Sequence, residues 1–121
     1  MLYFDRVSKQ YDHGNKVLDN ISLTIHKGEL VSIVGHSGAG KTTLVKLLLA
    51  EEYPTDGTVS FHSDNIHNFK GKDMTNYRRK VGVVFQDFKL IPNKTAYENV
   101  AFAMEAAGKA DVDISEDVPH V

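Results

Sequence analysis

The run GHSGAGKTT, residues 35–43, constrains the fold of this chain more than any other part of it. It fits the pattern G-x-x-x-x-G-K-[ST], with Gly35, Gly40, Lys41 and Thr42 at the fixed places. Glycines at such spacing let the backbone turn tightly and aim its N–H groups at phosphate oxygens. The helix that follows adds the positive end of its dipole. Lys41 is placed to reach the β- and γ-phosphates, and the Thr42 hydroxyl to coordinate Mg²⁺. His36, Ser37, Gly38, Ala39 and Thr43 complete the loop, where the backbone binds and the His36 side chain is expected to point away. The flanks agree. LVSIV, residues 30–34, is the compact apolar run of a strand buried on both faces of a parallel sheet. Leu44, Val45, Leu47, Leu48 and Leu49 give the following helix a broad apolar side.

The remaining chain reads as an α/β pattern. Leu2, Phe4 and Val7 fit a short strand with imperfect alternation. Asp12 to Asn15 is a turn, and Ile21, Leu23 and Ile25 alternate with polar residues as a half-buried, antiparallel strand. Pro54 to Gly57 is a turn before a short strand at Val59 and Phe61, and residues 64–73 read as polar and irregular. Met74 to Lys80 suggests a short helix, and VGVVF, residues 81–85, a second buried strand. Thr95-Ala96-Tyr97-Glu98 has the form of a capping box, opening a helix to about Ala107 that Gly108 ends. From Asp113 a further helix is expected to run into the end of the chain, as in a piece of a longer protein.

At 121 residues the chain has the size of one domain. Its net charge of -2 supplies no overall basic field toward nucleic acid, and the absence of cysteine excludes thiolate metal sites. The N-terminus does not read as a secretory signal, and the apolar runs are too short to span a membrane.

A phosphate loop serves GTPases, small-molecule kinases and transport-type ATPases alike. No aspartate here starts the D-x-x-G of a GTPase, and Ala96 stands where the guanine-reading N-K-x-D needs its aspartate. A small-molecule kinase is harder to exclude, since its arginine-bearing lid usually lies in a part of the fold that residues 1–121 do not include. The order of an early aromatic, antiparallel strands, the loop and then VGVVFQ resembles the ATP-binding cassette (ABC) ATPases over the whole chain. That resemblance implies a phosphate-loop α/β fold with a mostly parallel core sheet and an N-terminal antiparallel β subdomain, truncated. Residues 1–121 then correspond to the N-terminal half of the ATP-binding domain. The signature loop, the Walker B aspartate with its glutamate, and the switch histidine are not among them. By the same resemblance Tyr11 stacks on adenine through its ring, and Gln86 senses Mg²⁺ and the attacking water. The segment Gln86 to Asn93 meets a membrane partner.

Within the family, GHSGAGKTT, LLLAEEYPTDG and YRRKVGVVFQDFKLIPNKTAYENVAFAME are similar to the cell-division branch. Lipoprotein- and macrolide-export cassettes are the alternative, but they usually carry serine at Ala39 and asparagine-leucine at Lys89-Leu90. The implied protein binds ATP and Mg²⁺, works as a homodimer, and sits in the cytoplasm on the inner face of the membrane beside an integral membrane protein. Residues 1–121 alone are expected to show no turnover. Other readings are duller. Arg78 and Arg79 are expected on a solvated helix face. Glu51 and Glu52, at the end of the first helix, are not expected to do acid–base chemistry. The histidines at 13, 26, 36, 62, 67 and 120 lack metal-ligand spacing.

Overall fold

The computed structural model describes residues 1–11 and 14–118. Two compact units follow one another, Met1–Val81 and Gly82–Val121. The first holds strands β1 (Leu2–Gln10), β2 (Lys16–Ile25), β3 (Asp56–Phe61) and β4 (Asp64–Asn65), with helices α1 (Lys41–Leu48) and α2 (Lys72–Arg78). The strands form one antiparallel sheet in the order β2-β1-β3-β4. Phe4 lies between Leu23 and Val59 in the ladders.

The imperfect alternation of β1 has a physical cause. The register shifts between Phe4 and Val7, where Arg6 takes a φ of 48°. This bulge resets the phase, so Phe4 and Val7 both point inward and are buried although three residues apart. The bulge lies against Gly57, whose φ is +81° and whose missing Cβ would stand 2.3 Å from the Arg6 carbonyl oxygen. Val7, Leu18, Leu44, Leu47, Val59, Ile66 and Tyr77 make the core with Phe4.

Helix α1 ends in a turn that the sequence did not announce. Ala50, not glycine, adopts the left-handed conformation at φ 52°. Ala50 N–H donates to the Leu47 carbonyl and Glu51 N–H to the Lys46 carbonyl, the bonding of a Schellman motif. Further along, Tyr77 donates its hydroxyl to the Leu48 carbonyl at 2.6 Å, and Arg78 donates to the carbonyls of Leu49 and Ala50. Burial pushes the Tyr77 hydroxyl up to about 12. Arg78 is exposed, as the solvated-face reading has it, and its guanidinium in addition caps the carbonyl end of α1, where a cation is favoured by the helix dipole.

Two expected core strands are not formed. Residues 30–34 and 81–85 are in no ladder, Leu30 is 100% exposed, and Val34 and Val84 are exposed as well. The only sheet among the described residues is antiparallel. The reason is a strand's dependence on a neighbour: an apolar run reads as buried in a parallel sheet only if partner strands satisfy its backbone groups, and none pairs with either run among the described residues.

The second unit holds α3 (Ala96–Ala106) and α4 (Asp111–Asp117). The capping box at the start of α3 forms, with Thr95 Oγ1 accepting from Glu98 N–H and the Glu98 carboxylate accepting from Thr95 N–H. Gly108, at φ +83°, closes its C-terminal turn. Helix α4 starts at Asp111 rather than Asp113 and ends at Asp117, so it does not run into the chain end as expected; its C-cap Val118 is already extended. Asp12 and His13 of the expected DHGN turn lie outside the described residues. Among the described residues no helix is long and apolar enough to cross a membrane.

Gly57→Ala should cost at least about 2 kcal/mol, because it adds a left-handed strain of roughly 1–2 kcal/mol and a backbone collision at the β1 bulge. Urea denaturation of the intact protein measures this, and an unchanged midpoint would mean the bulge yields freely.

Candidate phosphate-loop site

The loop from Gly35 to Gly40 delivers the chain into α1 at one fixed geometry. Gly40 is the N-cap, with φ 89° and ψ 3°, and Leu44 N–H donates to its carbonyl. A Cβ there would meet Leu18 Cδ2 at 2.8 Å and the Val17 carbonyl oxygen at 2.9 Å. Glycine is thus needed twice, for the dihedral and for the close approach of the loop to β2. Lys41 curls back over the loop, its ammonium donating to the carbonyls of Gly35 and His36, each at 2.7 Å. The His36 ring turns to its neighbour, Nδ1 lying 2.7 Å from the Ser37 carbonyl oxygen. Ser37, Gly38 and Ala39 are exposed, as is Thr42 in the first helical turn, while Thr43 is buried. Beneath the loop, an aliphatic hollow of about 290 Å³ opens between Leu18, Ile21 and Leu23 of β2 and Ile33, Val34 and Leu44.

Tyr11 stands at the edge of this loop, tied to it through its hydroxyl. The hydroxyl oxygen is 3.4 Å from Thr43 Oγ1 and donates to Glu52 Oε2 at 2.5 Å. Burial and then the Glu52 hydrogen bond raise its pKa. The Lys9 ammonium lies 5.1 Å from the ring centroid. Glu52 also receives Lys46 at 3.1 Å and Lys9 at 3.4 Å. Burial alone would raise the Glu52 carboxyl, but the hydrogen bonds from Tyr11, Lys46 and Lys9 outweigh it and hold its pKa below the ordinary value. Sequence reading treated the Tyr11 hydroxyl as idle and Glu52 as a helix-end charge, and the structure joins them. Nothing in local spacing signals a contact spanning 41 residues.

His67 supports the same corner. Its Nε2 is 2.9 Å from the Glu52 carbonyl oxygen and its ring lies 5.2 Å from that of Tyr53. A carbonyl only accepts, so Nε2 carries the proton and the buried Nδ1 is bare, without a hydrogen bond. Burial lowers its pKa from 6.5, against the pull of the Glu52 and Leu47 carbonyls. His13 and His120 lie outside the described residues.

Gln86 belongs to the second unit, exposed in a turn over residues 86–89 in which Phe88 and Lys89 both have positive φ. Beyond it, Phe88 and Leu90 are strongly exposed. Asn99, which sequence reading passed over, clips the following loop: its side chain exchanges bonds with both Ile91 backbone groups and donates to the carbonyls of Lys94 and Thr95.

This architecture can be set beside known proteins. Residues 18–120 match the family described as ABC transporter. The chain belongs to that family. This ABC chain is 46% identical over its whole length to the cell division ATP-binding protein FtsE of Bacillus subtilis (strain 168). It is 43% identical to FtsE of Mycobacterium tuberculosis, and 38% identical to the methionine import ATP-binding protein MetN 2 of Pectobacterium atrosepticum. It spans 53% of each FtsE and 37% of MetN 2, so it has about half the length of the FtsE relatives. Among solved structures it is similar to the dimeric ATP-binding cassette MJ0796 in a post-hydrolysis state bound to ADP and Pi. There the TM-score is 0.84 at 33% identity, covering 98% of this chain and 54% of that one. The fold is therefore that of an ABC-type phosphate-loop ATPase, with the N-terminal antiparallel β subdomain formed.

Because the fold favours the neutral His67 ring, its contribution to stability is fully present above about pH 6.5 and is lost as pH falls below that value. Urea midpoints of the intact protein between about pH 7.5 and 5.5 should fall less in His67→Gln than in the wild type. Equal slopes would assign the loss to other groups.

Proposed function

We propose that this chain is the N-terminal half of the ATP-binding domain of a membrane-associated ABC complex acting in bacterial cell division. In this reading the parent protein is FtsE-like and pairs with an FtsX-like integral membrane protein on the inner face of the cell membrane. It couples ATP binding and hydrolysis to activation of septal peptidoglycan hydrolases. The observation that carries the ATP site is the Lys41 ammonium held across a glycine-turned loop at the N-terminus of α1. The division role is supported by FtsE relatives at 43–46% identity against 35–38% for the methionine import proteins. The export-type alternative is not favoured.

The residues fit the triphosphate. Gly35, His36, Ser37, Gly38 and Ala39 form an exposed rim and Gly40 the buried turn beneath it; their backbone N–H groups would hold the phosphates, with Lys41 and the hydroxyls of Thr42 and Thr43. Tyr11 would stack on adenine. Thr42 and Gln86 would hold Mg²⁺, which when bound neutralises charge on the β- and γ-phosphates. Lys41 has a further task in this arrangement. Its three donors can exchange the loop carbonyls for phosphate oxygens, a stronger charge-assisted partner. A homodimer of the full-length protein is the working unit, in keeping with the dimeric MJ0796 cassette. Segment Gln86 to Asn93, clipped by Asn99 and presenting Leu90, would dock the membrane partner.

Lys41→Ala in the intact protein should weaken ATP binding about 10- to 150-fold, the loss of a charge-assisted bond of roughly 1.5–3 kcal/mol. Isothermal titration showing unchanged affinity would remove Lys41 from the site. Charge substitution at Leu90 or Ile91 should abolish co-purification with the membrane partner while ATP affinity stays near normal; a retained partner would relocate the docking surface. Residues 1–121 alone should show no ATPase activity above that of their Lys41→Ala variant. Turnover that the variant abolishes would place the catalytic base within these residues.

A further inference from the structure

We infer that Glu52 is a positioning residue for nucleotide recognition, holding the Tyr11 ring at the edge of the phosphate loop through the phenol hydroxyl. The inference rests on the reading that Tyr11 stacks on the base.

The left-handed Ala50 closes α1 and reverses the chain, so Glu52 returns along the helix it has just left. Lys46 of α1 then reaches it at 3.1 Å, and Lys9 of β1 at 3.4 Å. Its own backbone carbonyl is 2.9 Å from His67 Nε2. The carboxylate is thus held from α1 and β1, the backbone behind it from His67, and the residue is half-buried. Tyr11, by contrast, follows the last residue of β1 and is 38% exposed. A side chain at such a strand end has rotamer freedom to lose on meeting a ligand, and that loss is charged against affinity. The 2.5 Å bond to Glu52 restricts the ring beforehand, and the Thr43 hydroxyl 3.4 Å away places it against the first turn of the phosphate helix.

The same bond explains why tyrosine is needed. Phenylalanine offers an equal apolar face but no group for Glu52 to hold. Lys9 lies over the ring and on the carboxylate together, so one cation braces both members of the pair. The stacked base thereby meets a ring whose orientation is already set, which sharpens recognition of a nucleotide over a bare polyphosphate.

The test uses isothermal titration of the intact protein with two probes, Mg-ATP and inorganic triphosphate, which shares the anionic chain and lacks the base. Glu52→Ala and Tyr11→Phe should each weaken ATP binding on the order of 5-fold or more. The double variant should lose no more than the worse single one, since both remove the same bond. Glu52→Gln, which keeps an acceptor for the hydroxyl while removing the charge that draws both lysines, should retain most of the affinity. Triphosphate binding should be unchanged in every variant, which also certifies that the loop is folded. The inference is overturned if Glu52→Ala binds ATP as the wild type does, if ATP and triphosphate affinities fall together, if the two losses add, or if Gln is as damaging as Ala. Tyr11→Ala separates the two levels. If it leaves ATP affinity intact, the stacking reading itself falls; if it weakens ATP while Glu52→Ala does not, only the role of Glu52 falls.

Discussion

The approach of Gly40 to β2 sets the rest of the first unit. A backbone with no Cβ, in a left-handed conformation, lies against Leu18 and the Val17 carbonyl. That contact fixes where α1 begins and which way its first N–H groups face. With the start of α1 pinned to the sheet, Leu44 and Leu47 fall into the core among Phe4, Val7 and Val59. The N-terminal end of α1 and the hydrophobic core are consequences of one close packing, and a methyl group at position 40 would disturb both.

The features legible in the sequence were those encoded locally. The loop spacing, the capping box at Thr95 and Glu98, the αL glycine at 108 and the alternation of Ile21, Leu23 and Ile25 each rest on residues within one or two turns of each other, and the structure reproduces them. The features that escaped were long-range. Arg78 reads as one more solvated cation until the structure brings the open carbonyls of Leu49 and Ala50 to it. Glu52 reads as a helix-end charge until an alanine takes a conformation usually reserved for glycine. LVSIV and VGVVF show the opposite failure. Their composition predicts burial between neighbours, but a strand is a relation between segments, and neither run has a ladder partner among the described residues.

The electrostatics of the site share one arrangement. Glu52 gathers two lysines and a phenol, and the net result is an acidic carboxyl whose charge is fully used. Lys41 is satisfied by carbonyl oxygens alone, weaker partners than an anion. The two cations on Glu52 are bound to a carboxylate, whereas Lys41 holds neutral carbonyl oxygens.

The capping of α1 by α2 has a consequence for how the chain is made. Tyr77 lies 29 residues beyond the Leu48 carbonyl it satisfies, and Arg78 lies 29 and 28 residues beyond those of Leu49 and Ala50. During synthesis, β1 and β2 emerge first and can pair with each other at once, since both lie ahead of the phosphate loop. The phosphate helix follows them with its C-terminal carbonyls open to water. It acquires the bonds to Leu48, Leu49 and Ala50 only when Tyr77 and Arg78 have cleared the ribosome, so the two ends of that helix depend on segments translated at different times.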